Sequence, residues 1–543
     1  DMDLFLTTIS GSLKLLCNEG GNINNHLKLR LKGLRTGSGK NNYFGIGAKV
    51  EVKAGDLYQT QYLDRPTITF GLGNNTKADL VRILWTNGVP QNHFEPSANQ
   101  TVVEEQFLKG SCPYLFGWSG SKFEFLTDVL WPSALGMPLG IMAGETLYAF
   151  PNSTDEYLMI YGEIEPLDGH YLLNFTTELW ETPYLDKVHL VAIDHPDSVE
   201  VFIDEKFSPP PFPSHRIYNF TNKYLPIYAE DHRGNDVLDI VKNDDKNYLS
   251  NFLMDKYQGI SELHDLILGF ENLEGKDSLF LFLHGWLFPT DASINVNISQ
   301  SQEIESVFPF IEVIGEDGNW VVAEKNIGFP KGKNKMMVIN MTNKFLSDDY
   351  RIRLRTTMQI YWDQIFMTSS ASGNLFKSYK LDPVTADLVY RGFSEIDRVN
   401  FGSPHIPDYY SVSKGQKWRD LTGNYTRYGD VLPLLLDSDN KYVIMNAGDE
   451  IKLKFDASSL PKIKKGWTRD FLFYNDGWLK DGDLNTAQGQ TVEPLPFHGM
   501  ESYPYDDRGD FPNDQFHRNY QDVYNSRVIT TEAFKNYLRD EIK

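Results

Sequence analysis

The sequence predicts an all-β protein made of several domains. Its 543 residues exceed what one core usually organises, which favours about three or four domains. Apolar and polar residues alternate with a period of two in residues 27–31, 48–53, 171–175 and 351–355, which is typical of half-buried strands. Aromatic residues make up 13% of the chain and also favour strands, whereas amphipathic helical segments are scarce.

Composition restricts the class of partner. The net charge of −22, with no long Lys/Arg cluster, repels phosphate backbones and argues against nucleic-acid binding. The sequence contains no run of about 18 apolar residues, so it predicts no transmembrane helix. Cys17 and Cys112 are too far apart for a Cys-x-x-Cys metal site, and either one disulfide or two thiols fits them.

Three short motifs carry a family resemblance. They are GIGAKVEV at residues 45–52, FGLG at residues 70–73 and VRILWTNG at residues 81–88. In order and spacing, over about residues 26–100, the chain resembles the ASPIC/UnbV family, although the family usually has Trp-Pro where this chain has Trp85-Thr86. The resemblance implies a β-module that follows FG-GAP propeller repeats in secreted proteins, among them cartilage acidic protein and bacterial proteins. It implies no activity that can be assigned to these residues.

The first residues fit that arrangement. Residues 1–25 look like the end of an FG-GAP propeller blade, in which a calcium loop runs into a strand. By position, Asp3 would match the last carboxylate ligand and Asp1 a backbone-carbonyl ligand; the alternative is a strand preceded by solvated acids. The chain starts without an initiator Met or a signal peptide, so we interpret it as a piece whose N-terminal part is missing. We therefore expect an upstream propeller or a neighbouring copy to complete the blade.

Five segments follow from these patterns. Short motifs in residues 109–116, 178–182, 194–196, 361–364 and 492–498 look like the extended C-terminal region of bacterial FG-GAP/ASPIC proteins. The proline-rich residues 208–213 predict a stiff extended connector. The predicted domains are a blade remnant (1–25), the ASPIC/UnbV module (26–108), a β-rich domain (109–235), a jelly-roll-like β-sandwich (236–370) and a C-terminal β-rich domain (371–543).

Two further groups of residues are candidate sites. Aromatic rings exposed on the sandwich could stack on sugars, and the candidates are Trp286, Trp320, Tyr361 and Trp362, with core packing as the alternative. Oxygen-bearing side chains alternate in the acidic loop as in calcium loops, at Asp481, Asp483 and Asn485. A polar turn is the alternative there, because Thr486 and Val492 occupy the positions where such a loop has its Gly and Glu.

No catalytic spacing is recognisable. The histidines lack zinc-site spacing, no Gly-x-Ser-x-Gly motif occurs, and no carboxylate pair stands out among 74 acidic residues. We therefore predict a secreted, non-catalytic protein for binding, adhesion or assembly, with Ca²⁺ as a structural ion and a protein or glycan partner at the cell surface. The alternatives are a carbohydrate-binding or carbohydrate-active protein, and a self-associating subunit of an extracellular filament or surface layer.

Overall fold

Strands dominate the fold, so the predicted all-β class is confirmed. The computed structural model describes residues 3–9, 11–20, 23–33, 42–86, 90–106, 112–142, 144–255, 257–271, 273–275, 278–369, 375–397, 399–400, 402–413, 418–506 and 509–530. Asp1 lies outside these residues. The chain divides into two compact units, one mainly of residues 1–109 and one mainly of residues 110–414 and 420–535.

The first unit contains two small sheets and a separate hairpin. Its strands are β1 (Leu4–Thr7), β2 (Leu13–Leu16), β3 (Asn25–Lys32), β4 (Lys49–Ala54), β5 (Leu57–Tyr62), β6 (Ile68–Gly73), β7 (Leu80–Leu84), β8 (Pro90–Phe94) and β9 (Gln100–Glu105). Among the described residues, β1 and β2 pair only with each other, and the two sheets have the orders β6-β3-β9 and β5-β4-β7-β8. The alternating apolar residues of β3, β4 and β6 face one buried core, as their period of two predicts.

The first glycine-rich motif has a structural reason. Gly45 and Gly47 both have positive φ angles, of 65° and 95°, in the turn that leads into β4. A Cβ atom on Gly45 would lie 2.9 Å from the Leu31 side chain, closer than packed atoms approach. Glycine therefore lets this turn close over the core of the module.

The second unit is larger and also almost entirely β. Its strands are β10 (Tyr114–Trp118), β11 (Phe123–Asp128), β12 (Pro138–Met142), β13 (Glu145–Tyr148), β14 (Glu156–Met159), β15 (His170–Thr176), β16 (Glu181–Pro196), β17 (Glu200–Ile203), β18 (Lys206–Phe207), β19 (Ile217–Phe220), β20 (Tyr228–Asp231), β21 (Ile260–Gly269), β22 (Phe280–Leu287), β23 (Phe310–Ile314), β24 (Trp320–Glu324), β25 (Phe329–Pro330), β26 (Lys335–Asn340), β27 (Arg351–Met358), β28 (Ile360–Thr368), β29 (Lys377–Leu381), β30 (Pro383–Tyr390), β31 (Phe393–Asp397), β32 (Ile406–Ser413), β33 (Gly423–Tyr425), β34 (Gly429–Asp430), β35 (Val443–Ile444), β36 (Asp449–Asp456), β37 (Trp467–Asp481) and β38 (Arg527–Ile529). Its helices are α1 (Leu238–Lys242), α2 (Ala292–Gln300) and α3 (Gln515–Tyr524). Among the described residues, none of the helices is both long and apolar enough to cross a membrane.

One sandwich of this unit combines distant parts of the chain. Its sheets have the orders β11-β10-β15-β36-β30-β34 and β14-β37-β16-β29, and a shared apolar core lies between them. The long strands β16 and β37 pair along almost their whole length. Strands from residues 109–235 and 371–543 thus share both sheets, which differs from the predicted division into separate domains. Sequence patterns locate strands, but the partner of a strand is chosen by packing across long distances.

A second sandwich is built from strands between residues 228 and 368, so it begins before the predicted boundary at residue 236. Its two antiparallel sheets have the orders β20-β21-β27-β23-β24 and β26-β22-β28, and a second apolar core fills the space between them. The register of β22 and β28 shifts next to His284, because Leu283 lies opposite Ile365 whereas Gly285 lies opposite Trp362. β28 therefore has one extra residue there, a bulge that brings Asp363 next to His284.

Candidate functional site

Three of the four predicted ligand-binding aromatic residues lie in the interior. Trp286, Tyr361 and Trp362 are only 2%, 1% and 4% exposed. The rings of Trp286 and Tyr361 stack with centroids 4.4 Å apart, and the indole of Trp286 donates a hydrogen bond of 2.9 Å to the carbonyl of Gly402. The prediction of an exposed platform is wrong for these three residues. The chain near Gly402 covers Trp286 and Tyr361, whereas Trp362 packs in the core between the two sheets.

Trp320 differs from the other three. It begins β24 and remains partly exposed. The guanidinium of Arg353 lies 4.7 Å from the centre of its ring, an arrangement that uses one face of the indole. A ligand-binding role for Trp320 stays a prediction.

The acidic loop after β37 is tied to α2 by hydrogen bonds. The carboxylate of Asp483 accepts bonds from the hydroxyl of Ser293 (2.8 Å) and from the backbone N–H groups of Ser293 (3.3 Å) and Asn485 (2.8 Å). The amide of Asn485 also donates to the Ser293 hydroxyl, and Asp481 accepts from Thr486. These side chains therefore anchor the loop at the start of α2, and calcium binding by Asp481, Asp483 and Asn485 stays a prediction.

Of the two predicted N-terminal calcium ligands, Asp3 lies among the described residues and Asp1 does not. The Asp3 carboxylate accepts a 2.9 Å hydrogen bond from the backbone N–H of Asn18, which joins the two ends of the β1–β2 hairpin. A calcium role for Asp3 and Asp1, and the relation of this hairpin to a propeller blade, stay predictions.

A cavity of about 210 Å³ opens beside β14. The proline-rich residues 208–213 link β18 to β19 and form one of its walls through Phe212 and Pro213. This segment was predicted to be a stiff extended connector, and in the structure it lines a cavity. The lining consists of Pro132, Phe150, Asn152, Ser153, Thr154, Asp155, Glu156, Tyr157, Ile203, Asp204, Lys206, Phe207, Ser208, Phe212, Pro213, Ser214, His215 and Lys331.

The buried charges of the cavity are paired. Lys206 lies 2.8 Å from Asp204, and Lys331 lies 2.5 Å from Glu156. The Asp155 carboxylate is more accessible, with 55% of the side chain exposed, although it accepts a hydrogen bond from a tyrosine hydroxyl. The cavity therefore has one accessible carboxylate, that of Asp155, and two buried lysine–carboxylate ion pairs.

Aromatic side chains form the cavity's rim. The ring of His215 lies 5.0 Å from that of Tyr157, and the Phe212 ring lies 5.9 Å from that of Phe150. Phe212 is 45% exposed, so its ring is accessible to a ligand in the cavity. Apolar faces beside hydrogen-bonding groups are the combination that orients small polar ligands.

One acid–histidine cluster lies where β16 and β37 meet the chain near residue 498. The His498 ring nitrogens lie 3.1 Å from Asp476 and 2.9 Å from the side-chain oxygen of Asn440. Burial raises the pKa of Asp186 to about 7. Burial opposes ionisation of Asp476 too, but hydrogen bonds from His498 and Ser438 lower its pKa below the usual value. Both ring nitrogens of His498 thus already have hydrogen-bond partners.

A second cluster lies on the outer face of the sheet β26-β22-β28. His284 is 5% exposed, and its Nδ1 atom is 3.4 Å from Asp363 and 3.6 Å from Asp244. Neither ring nitrogen of His284 makes a hydrogen bond within the described part of the chain. Asp363 is fully buried and accepts long hydrogen bonds from the backbone N–H groups of Asp245 (3.4 Å) and Lys246 (3.3 Å). Sequence reasoning missed this cluster, although Asp363 lies in one of the short motifs that carried the family resemblance.

One segment of the chain matches a known protein family. Residues 37–106 match the family described as ASPIC and UnbV. This segment is an ASPIC/UnbV module, which confirms the resemblance seen in its three motifs, and its family match runs through β4 to β9 of the first unit. No curated protein matches the chain. The relation to FG-GAP repeats and to cartilage acidic protein stays a prediction.

Proposed function

We propose that this protein is secreted and binds a glycan non-catalytically in the cavity beside β14. The observation that carries the proposal is the lining of that cavity, where exposed aromatic rings stand next to an accessible carboxylate. The ASPIC/UnbV module supports an extracellular setting, since it is an extracellular type of β-module. The acidic composition fits the same setting.

The cavity has the chemistry that sugars require. The C–H face of a sugar ring packs against aromatic side chains such as Phe212 and Tyr157, and its hydroxyls donate to carboxylates such as Asp155. The volume of about 210 Å³ is below the roughly 300–1,000 Å³ of pockets for drug-sized ligands. The cavity therefore suits a single sugar residue or the end of a glycan chain.

The charges in the cavity favour binding over hydrolysis. Glycoside hydrolysis generally uses two carboxyl groups, one of which must give up or take up a proton. Asp204 and Glu156 are each engaged by a lysine, which leaves Asp155 as the accessible carboxylate of the lining. This arrangement supports binding of a sugar without its cleavage.

A glycan array followed by titration calorimetry tests this function. The full chain is applied to arrayed bacterial, plant and animal oligosaccharides, and the terminal monosaccharide of the strongest binder is then titrated. We expect Phe212→Ala to weaken binding at least tenfold. Phe516→Ala is the matched control, because Phe516 is 53% exposed, belongs to α3 and is not part of the cavity lining. Absence of glycan binding, or equal affinities of the two variants, would refute the proposal, and release of reducing sugar would favour the carbohydrate-active alternative.

Self-association is a second candidate function, favoured by the β1–β2 hairpin. Its apolar side chains are unusually exposed, and they are Leu4, Phe5, Leu6, Ile9, Leu13, Leu15 and Leu16. Contiguous apolar surface of this kind marks interaction sites. Sedimentation equilibrium of the full chain and of Phe5→Asp tests the idea; a concentration-independent monomer mass for the unaltered chain would exclude it.

A further inference from the structure

We propose that Asp244, His284 and Asp363 bind a divalent transition-metal ion of the zinc class. The three residues come from the chain after α1, from β22 and from β28. The site is separate from the glycan cavity, and the inference does not depend on the proposed function.

The spacing of the ligand atoms suits a metal ion. His284 Nδ1 lies 3.4 Å from Asp363 Oδ2 and 3.6 Å from Asp244 Oδ1, which is longer than an ordinary hydrogen bond. Zinc binds histidine nitrogen and carboxylate oxygen at about 2.0–2.2 Å, so two ligands on a tetrahedral ion are about 3.4 Å apart. One ligand atom from each of the three residues lies within 4.8 Å of the other two.

The state of His284 is the independent observation that points to a ligand. The residue is 5% exposed, and neither of its ring nitrogens has a hydrogen-bond partner among the described residues. A buried polar group without a partner costs about 1–3 kcal/mol, so such groups are normally satisfied. A metal ion on Nδ1 would satisfy the nitrogen that faces the two carboxylates.

The donor set decides which kind of ion fits. Calcium prefers six to eight oxygen ligands, whereas an imidazole nitrogen with carboxylates suits zinc and related transition metals. Three protein ligands would leave a fourth tetrahedral position for water. The cluster therefore differs in kind from the calcium sites expected from the sequence.

The surroundings hold two ligands in place and leave a route for the ion. Two backbone N–H groups orient Asp363, and the bulge in β28 fixes its position beside His284. The Asp244 side chain is 59% exposed, so the ion can reach the site from solvent. The cluster at His498 is a weaker candidate for a metal site, because both ring nitrogens of His498 already have hydrogen-bond partners.

Zinc titration of the chelator-treated full chain tests the site. We expect one Zn²⁺ per chain to bind, Mn²⁺ to bind more weakly and Ca²⁺ not to compete. Asp244→Asn should lower the zinc affinity at least tenfold, since it removes a charged ligand from an exposed position. Asp348→Asn is the matched control, because the Asp348 side chain is exposed and not part of the cluster, and it should change the affinity less than twofold.

X-ray absorption of the zinc-loaded, unaltered chain gives a second readout that needs no variant. We expect one imidazole and carboxylate oxygens at about 2.0–2.2 Å from the metal. Absence of zinc binding, equal affinities of the Asp244→Asn and Asp348→Asn variants, or a shell containing sulfur or several imidazoles would each overturn the proposal.

Discussion

Replacing Trp286 separates a packing role from a ligand-binding role. Trp286→Ala removes a side chain that is 2% exposed, stacked on Tyr361 and hydrogen-bonded to Gly402. Truncation of a buried tryptophan costs about 3–5 kcal/mol, to which loss of the ring stacking contributes. Trp320→Ala, at a partly exposed position, should cost only about 1 kcal/mol, mainly through its contact with Arg353.

Urea unfolding followed by circular dichroism measures this difference. With a slope of about 3 kcal/mol/M, a loss of about 4 kcal/mol lowers the midpoint by about 1.3 M. Hydrogen exchange of amides in β22 and β28 assigns the transition to the second sandwich. Midpoints for Trp286→Ala and Trp320→Ala that differ by less than 0.2 M (about 0.6 kcal/mol at this slope) would refute the packing argument.

Three further predictions concern charges and hydrogen bonds in the second unit. Burial lowers the pKa of His264 from 6.5 to about 4, so this ring takes up a proton in the unfolded chain at a higher pH than in the folded chain. Stability therefore falls as the pH drops from about 6.5 to 4, and His264→Gln should make the urea midpoint depend less on pH over that range. Burial raises the pKa of Glu181 from 4.5 to about 8, so the fold is most stable at low pH, where this carboxyl is protonated, and that stability is lost as the pH rises through 8. Glu181→Gln should therefore reduce the fall of the melting temperature with rising pH in thermal melts from pH 6 to 9. Asp483→Ala should cost about 1–3 kcal/mol by leaving Ser293 at the start of α2 without its partner, as measured by urea unfolding.

Each of these has an outcome that would contradict it. A pH profile of His264→Gln that parallels the unaltered chain between pH 4 and 6.5 would show that this ring is not held neutral. Alkaline melting of Glu181→Gln that matches the unaltered chain would show the same for that carboxyl. Added Ca²⁺ that raises the melting temperature of the unaltered chain, but not of Asp483→Ala, would support a calcium loop in place of the hydrogen-bonded clamp.

The module in the first unit was predictable because its information is local. The glycines at 45 and 47 are required by the turn into β4, and the alternation along β3 and β4 specifies which side chains face the core. Both the strands and the family motifs could therefore be recognised in short stretches of sequence.

The burial of Trp286 and Tyr361 could not be predicted from local sequence patterns. Alternation places Trp286 and Tyr361 on the same side of neighbouring strands, but it does not say whether that side is covered. The cover includes Gly402, which is 116 residues from Trp286. Burial depended on a distant segment, and the predicted ligand platform was consequently assigned to residues of the interior.

By itself, the sequence determined the all-β class, the ASPIC/UnbV module and the alternating faces of individual strands, because these follow from periods and motifs a few residues long. Only the tertiary structure decided that strands β16 and β37 pair across the chain, and that the proline-rich turn walls a cavity. It also decided that Asp244, His284 and Asp363 meet around a bulge in β28. The physical reason is that strand partners and convergent polar groups depend on long-range packing, which a local pattern does not encode.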